Sequence, residues 1–284
     1  MQSPANLAFD FVRSLAAELS AGHIDLPSFP DIAIKVRRVL ADGDSSVDQV
    51  VRVVGSEPAL AARLMRIANS ASINRSGKTV TDLRTAINRL GYNMVRSAAM
   101  TFSMNQMRTS NKLAGLAPHL NRLWEESTYV AAYAFVLART CSRVNPDEAM
   151  LTGMLHGIGK LYILTRATGH PGLFADEKAL NDVIADWHAS IGKAILENWD
   201  FAEPMARAVG QDDFARPDAD IPDLTDVVGV AITMVSYGTD IAELGQELKR
   251  QPAAMRLGLN ESKTMAVMQD SAAEVTALSQ ALSD

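Results

Sequence analysis

The chain has 284 residues, of which 48% are hydrophobic and 21% charged, and this composition is ordinary for a globular protein. Its single cysteine, Cys141, excludes a disulfide framework and a thiolate metal cluster. The net charge of −6 is spread unevenly, because residues 1–110 hold 13 basic against 9 acidic residues and residues 111–284 hold 14 against 24. An acidic chain without a basic and aromatic stripe is a poor nucleic-acid binder, so we expect no nucleic-acid partner.

No segment of the sequence predicts insertion into a membrane. Residues 1–14 include an acidic side chain and lack the compact apolar core of a signal peptide. The longest uncharged apolar run, residues 227–238, is shorter than the roughly 20 residues that a bilayer requires. We therefore expect a cytoplasmic location and no membrane partner.

Apolar residues repeat at helical spacing along the chain, and no stretch alternates as a β-strand would, which predicts an all-α fold. Ser46 and Gln49 form a capping-box pattern, and Thr81 is predicted to cap the helix that ends before Gly91. Residues 26–30, Leu-Pro-Ser-Phe-Pro, break the first helix. In this part of the chain the pattern predicts helices over residues 7–15, 31–40, 47–54, 58–69, 82–90 and 94–107.

The second part of the chain begins near residues 109–118, where the helical pattern is interrupted. A long apolar helix is predicted over residues 120–141, and Asn145 is predicted to cap the next helix, which carries His156. Further helices are predicted over residues 186–199 and 260–284, the last being amphipathic with its docking left open. We predict an N-terminal helical subdomain, an HD-like helical subdomain and a C-terminal helical tail, at residues 1–110, 111–258 and 259–284 respectively.

Six segments of the chain resemble, in order, the motifs of one known family. They are Leu-Pro-Ser-Phe-Pro at 26–30, Glu-Pro-Ala-Leu at 57–60 with its continuation to 71, residues 81–91, Trp-Glu-Glu-Ser at 124–127, Leu-His-Gly-Ile-Gly-Lys at 155–160, and residues 188–199. Together they resemble the HDOD family, bacterial regulatory domains related to HD-type metal-dependent phosphohydrolases. The resemblance implies an N-terminal helical bundle packed on an HD-like C-terminal helical bundle, and a signalling role often without demonstrated catalysis.

The resemblance also implies where a metal site would lie. An HD-type site takes a histidine from one helix, a His-Asp doublet from another and a later aspartate. The corresponding positions in this sequence are Glu126, His156-Gly157 and, near the end, Ile232, while a His-His pair of the family falls in the Gly-Gln-Asp-Asp run at 210–213. Gly157 has no side chain with which to bind the metal that activates water.

Two interpretations of these positions stay open. Carboxylates and imidazoles suit first-row metals, so Glu126 and His156 could rebuild a site with Asp212 or Asp213. Alternatively the four residues are vestigial, no metal or cofactor is bound, and His156 is a partly buried histidine bonded to the backbone.

Three basic residues are candidates for binding a phosphate-bearing ligand. Lys160 could act as a point charge, although the Gly-x-Gly-Lys run also resembles a helix end with a basic last turn. Arg63 and Arg66 share a helix face at their spacing of three. That face is interpreted either as a basic patch for an acidic partner or nucleotide, or as a solvated surface.

The sequence favours a non-catalytic signalling module that acts by binding one or more partner proteins, with a small ligand as a further possibility. The competing hypotheses are a metal-dependent phosphohydrolase with a rearranged site and a metal-free sensor of a nucleotide second messenger.

Overall fold

The computed structural model describes residues 4–21, 31–42, 45–69, 73–74, 78–108, 111–199, 201–211, 221–238 and 240–283. Within these ranges the chain is helical and contains no β-strand, so the all-α prediction is confirmed. The predicted motif at residues 26–30 lies outside the described residues. None of the described helices is both long and apolar enough to cross a membrane.

The N-terminal part of the chain contributes five helices to the described structure. They are α1 (Pro4–Ser20), α2 (Asp31–Ala41), α3 (Val47–Gly55), α4 (Pro58–Asn69) and α5 (Leu83–Arg108). Helices α2, α3 and α4 all pack on α5, which forms the centre of this bundle.

The remaining helices follow a 3-10 helix at Asn111–Leu116. They are α6 (Ala117–Cys141), α7 (Pro146–Leu155), α8 (Ile158–Ala167), α9 (Pro171–Phe174), α10 (Glu177–Asn198), α11 (Glu203–Val209), α12 (Leu224–Tyr237), α13 (Ile241–Arg250), α14 (Pro252–Arg256) and α15 (Glu261–Ser283). The long helix α6 is the centre of this second bundle and packs against α7, α12 and α15.

Local sequence signals explain most of the helix ends. The Ser46 and Gln49 capping box forms as predicted, with each side chain bonded to the other residue's backbone N–H. The predicted cap at Thr81 is wrong by one residue, because Asp82 Oδ1 accepts the bond from the Thr85 N–H at 2.8 Å. Gly91 kinks α5 with a φ of 73°, a backbone conformation that residues with a Cβ rarely adopt.

Helix α1 packs chiefly on the second bundle, against α9 and α10, although it precedes the first bundle in sequence. Phe11 and Leu15 are buried, and Glu18 accepts a hydrogen bond from Tyr162 Oη at 2.7 Å and forms an ion pair with Arg166, whose Nε lies 3.0 Å away. The predicted boundary at residue 110 remains a prediction, although α1 packs chiefly on helices that follow this boundary.

The C-terminal helix docks in cis. Helix α15 packs along α6, and Val275 is buried in that contact. Arg139 donates two hydrogen bonds to the carboxylate of Glu274, each 2.5 Å long. The amphipathic pattern at 260–284 therefore predicted the helix, and its apolar side packs on the molecule's own core.

Candidate functional site

The best candidate site lies where α6, α7, α8 and α10 meet. His156 is the C-cap residue of α7, Gly157 is the N-cap residue of α8, and Lys160 lies in the first turn of α8. Glu126 projects from the middle of α6, and His188 belongs to α10. The prediction of a helix end at Gly-x-Gly-Lys is correct for α7, but Lys160 lies in the first turn of α8 and not in the last turn of α7.

His156 is almost completely buried and bonded to its own helix. Its Nδ1 lies 2.6 Å from the carbonyl oxygen of Gly153, and because a carbonyl only accepts, Nδ1 carries a proton and donates it. Its Nε2 lies 3.4 Å from Glu126 Oε1. The histidine is therefore oriented by the backbone, with its second nitrogen turned towards α6.

Glu126 joins this cluster to a cation. Lys160 Nζ donates to Glu126 Oε1 at 2.7 Å, across 34 residues of sequence. A cation in the first turn of a helix is repelled by the positive end of the helix dipole, so the position of Lys160 depends on this carboxylate. Burial disfavours ionisation of Glu126, but its interaction with His156 and the charge of Lys160 outweigh burial and lower the pKa of Glu126 from 4.5 to about 2.

The space beside Gly157 is filled by α6. A Cβ atom placed on Gly157 would lie 2.6 Å from Leu123 Cδ1 and 3.2 Å from Ser127 Oγ. Such distances require a neighbour to move, and Leu123 is itself buried in the core. The position that an aspartate occupies in an HD-type site therefore lacks a carboxylate, and a side chain there would require Leu123 to move.

Gly159 and Gly192 allow α8 and α10 to cross closely. A Cβ on Gly159 would lie 1.9 Å from the carbonyl oxygen of His188 and 2.8 Å from the backbone nitrogen of Gly192. The glycines of the Gly-x-Gly run thus serve helix packing, and they do not form a loop that binds phosphate.

His188 and Gln211 belong to the same cluster, and sequence reasoning underestimated both. His188 Nδ1 donates to the Ile184 carbonyl at 2.8 Å, and Gln211 Nε2 lies 3.3 Å from His188 Nε2. Burial, followed by the nearby charge of Lys160, lowers the pKa of His188. Gln211 has a φ of 55°, which is rare for a residue with a Cβ. The His-x-x-x-Gly spacing at 188–192, which places both residues on one helix face, was the available signal.

The remaining predicted residues are not brought to this cluster as a set. Asp212 and Asp213 lie outside the described residues, so the rebuilt metal site stays a prediction. Arg66 is exposed on α4, but Arg63 is only 2% exposed. The interpretation as a solvated surface is therefore wrong for Arg63, which packs in the core, whereas the binding of a phosphate-bearing ligand by Arg63, Arg66 and Lys160 stays a prediction.

The side chains at the candidate metal positions supply few metal ligands within the described residues. Ile232, at the position of the last aspartate, has a hydrocarbon side chain, and Glu126 already binds an ammonium group. Nowhere in the described ranges do three His, Cys, Asp or Glu side chains come together as a metal would require. Glu126 and His156 are two donors, whereas a catalytic metal in a protein commonly has three protein ligands.

The geometry agrees with comparisons to known proteins. The HDOD domain family matches residues 26–213, and the chain belongs to this family. An uncharacterized protein of Treponema pallidum (strain Nichols) is 22% identical over 206 residues. That match covers 69% of this chain but only 39% of the relative's length.

Solved structures share the fold over nearly the whole chain. A candidate metal-dependent phosphohydrolase of Shewanella amazonensis SB2B is 27% identical, with a TM-score of 0.72 over 98% of this chain and 99% of that one. An HDOD domain protein of unknown function from Geobacter sulfurreducens is 20% identical, with a TM-score of 0.61 over 95% and 97%. A candidate signal transduction protein of Marinobacter aquaeolei VT8 is 18% identical, with a TM-score of 0.57 over 99% and 69%. The family and the all-α HD-like fold predicted from the sequence are confirmed.

Proposed function

We propose that this HDOD protein is a non-catalytic signalling module that acts by binding another protein and that its HD-type metal site has been lost. The observation that carries the proposal is the 2.7 Å contact between Lys160 Nζ and Glu126 Oε1. In a phosphohydrolase of this fold a metal would sit among the donors of α6 and α7. Here the ammonium group neutralises the Glu126 carboxylate, so a metal would have to displace it.

Two further features support the loss of the metal site. Gly157 supplies no ligand, and Leu123 packs where a side chain at that position would begin. The described donors are then one carboxylate and one imidazole, fewer than hydrolytic metal sites use. A signalling role fits the family, and the fold is shared with the candidate signal transduction protein of Marinobacter aquaeolei VT8.

A metal-dependent phosphohydrolase with a rearranged site is the second candidate. It is favoured by the 27% identity to the candidate metal-dependent phosphohydrolase of Shewanella amazonensis SB2B. The closeness of His156 Nε2 to Glu126, at 3.4 Å, also leaves part of a ligand set in place. This function would need Asp212 or Asp213 to complete the site and Lys160 to move away.

The two functions are separated by metal content and turnover. The chain is purified without a polyhistidine tag, its metals are measured by elemental mass spectrometry, and phosphomonoesters and phosphodiesters are assayed with Mg²⁺, Mn²⁺, Fe²⁺, Co²⁺ and Zn²⁺. We expect neither a bound metal nor turnover. Turnover that requires a metal and disappears in the His156→Ala variant would overturn the proposal in favour of the second candidate.

A further inference from the structure

An open apolar groove lies between α1 and α10, on the HD-like half of the molecule. Its volume is about 390 Å³, and its apolar lining includes Phe9, Val12, Val183 and Trp187. Phe9 is 68% exposed and Trp187 42% exposed, although both are large aromatic side chains. Exposed aromatic residues grouped in a concavity are typical of a surface that another molecule covers.

The way α1 is held explains why the groove is open. The later turns of α1 are anchored by buried Leu15 and by the bonds of Glu18 to α8. Phe11 is also buried, and its ring contacts that of His170 edge-on at 5.0 Å between centroids. Phe9 belongs to the same helix but points out of this contact, so the preceding turn of α1 lines the groove and does not fill it.

The rim of the groove is acidic. Three of its lining residues are aspartates, Asp176, Asp182 and Asp186, against one cation, Lys178. Lys178 pairs with Asp182 at 3.1 Å, and Asp176 caps α10 by accepting from a backbone N–H. Among the described residues Asp186 has no ion-pair partner, so negative charge is left beside the two aromatic rings.

We infer that the groove between α1 and α10 docks a basic amphipathic helix of a partner protein. The inference rests on the proposed binding function and names its surface and the chemistry of its partner. A groove whose two walls are both helices can accept a third helix, whose apolar face enters the groove. The aspartates select Lys and Arg on its edges, and they repel anionic lipid, nucleic acid and the same acidic face of a second copy.

The test uses the full chain and a synthetic peptide as the probe. The peptide has about 16 residues, with Leu and Phe at positions i, i+3, i+4 and i+7 and Lys or Arg elsewhere. A second peptide keeps the apolar residues but carries Glu in place of every basic residue. Trp187 reports binding by its fluorescence, because Trp124 and Trp199 are buried. We expect the basic peptide to bind, more weakly as salt is added, and the acidic peptide not to bind.

Three variants locate the binding. The double variant Asp182→Asn, Asp186→Asn is expected to lower the affinity for the basic peptide by about 2- to 30-fold, because two exposed charge pairs are lost. Binding to the Trp187→Ala variant is followed with a fluorescently labelled peptide. We expect its affinity for the basic peptide to be lower by about 30-fold or more, as for a central aromatic residue of an interface. The control is Glu243→Gln with Glu247→Gln on α13, which removes two charges at the same spacing outside the groove and should change affinity by less than about twofold.

Three results would overturn the inference: no binding of the basic peptide by the folded chain, equal binding of the acidic peptide, or equal effects of the groove and α13 variants. The same preparations are assayed for phosphoester turnover. Metal-dependent turnover would refute the proposed function whatever the peptide does, whereas failed peptide binding without turnover would refute only the groove.

Discussion

Glu126→Gln is the substitution that tests the charge cluster between α6 and α8 most directly. It removes the negative charge but keeps the shape of the side chain and an oxygen that can accept from Lys160. The ammonium group of Lys160 would then stand in the first turn of α8 without a counter-ion. We expect the variant to fold and to be less stable than the wild type at neutral pH.

The size of the effect follows from the pKa of Glu126, which is lowered from 4.5 to about 2. Each unit corresponds to about 1.4 kcal/mol, so the ionised carboxylate contributes at most about 3.5 kcal/mol to the free energy of unfolding. The Glu126 side chain is 30% exposed, and solvent screening reduces this value. A loss of about 1–2 kcal/mol in the variant is the expected result.

The same shift predicts a pH dependence. Because the pKa of Glu126 is lower in the folded chain, its contribution is complete above the unfolded value of 4.5 and disappears as the pH falls through about 2. At about pH 3 less than half of the contribution remains. The difference in stability between the wild type and Glu126→Gln should therefore shrink by more than half between about pH 7 and about pH 3.

Urea unfolding followed by circular dichroism measures these differences. A double-mutant cycle with Lys160→Met isolates the Glu126 and Lys160 interaction, for which we expect a coupling of about 1 kcal/mol at pH 7. The control cycle uses Lys178→Met and Asp182→Asn on α10, an ion pair whose side chains are 89% and 64% exposed. Its coupling should be near zero, since exposed pairs contribute little.

The reasoning would be refuted by a Glu126 and Lys160 coupling no larger than that of the control pair. It would also be refuted if the cost of Glu126→Gln were the same at both pH values. Either result would mean that the ammonium group of Lys160 does not stabilise the Glu126 carboxylate. The proposal that the metal site has been lost would then be without its main observation.

Three further substitutions are measured by urea unfolding: two test the packing around the site, and the third tests a buried ion pair between α12 and α14. Gly157→Asp should lower the free energy of unfolding by about 1–3 kcal/mol, because Leu123 occupies the space of the new side chain. The loss should be smaller in a Leu123→Ala background, and an equal loss in both backgrounds would contradict this explanation. Gly159→Ala should cost about 3 kcal/mol, since its Cβ would meet the backbone of α10, and a neutral result would refute the close crossing. Arg256→Met should cost about 3–5 kcal/mol by leaving the carboxylate of Asp226 buried without its paired cation, and a loss under about 1 kcal/mol would contradict this.

Much of the fold could be predicted because helices are specified by neighbouring residues. The capping box at Ser46 and the cap at Asn145 each depend on side chains within three residues. The apolar periodicity of α6 and α15 is likewise visible in neighbouring residues. The His156-Gly157 pair, in which glycine replaces the aspartate of the motif, is also visible directly in the sequence. These signals, with the ordered motifs, were sufficient for α1 to α7, part of α10, α15, the family and the missing carboxylate, whereas α8, α9 and α11 to α14 were not predicted as separate helices.

The partners of the site residues were decided by the tertiary structure. Lys160 meets Glu126 across 34 residues of chain, Arg63 is buried although its spacing matched a surface stripe, and α1 docks on the second bundle to form a groove with α10. None of these contacts is encoded within one helix, because each depends on how two helices cross and which side chains meet there. The sequence by itself determined that the chain is helical and which ligand is missing, and only the packing of the helices decided that a lysine neutralises the remaining carboxylate.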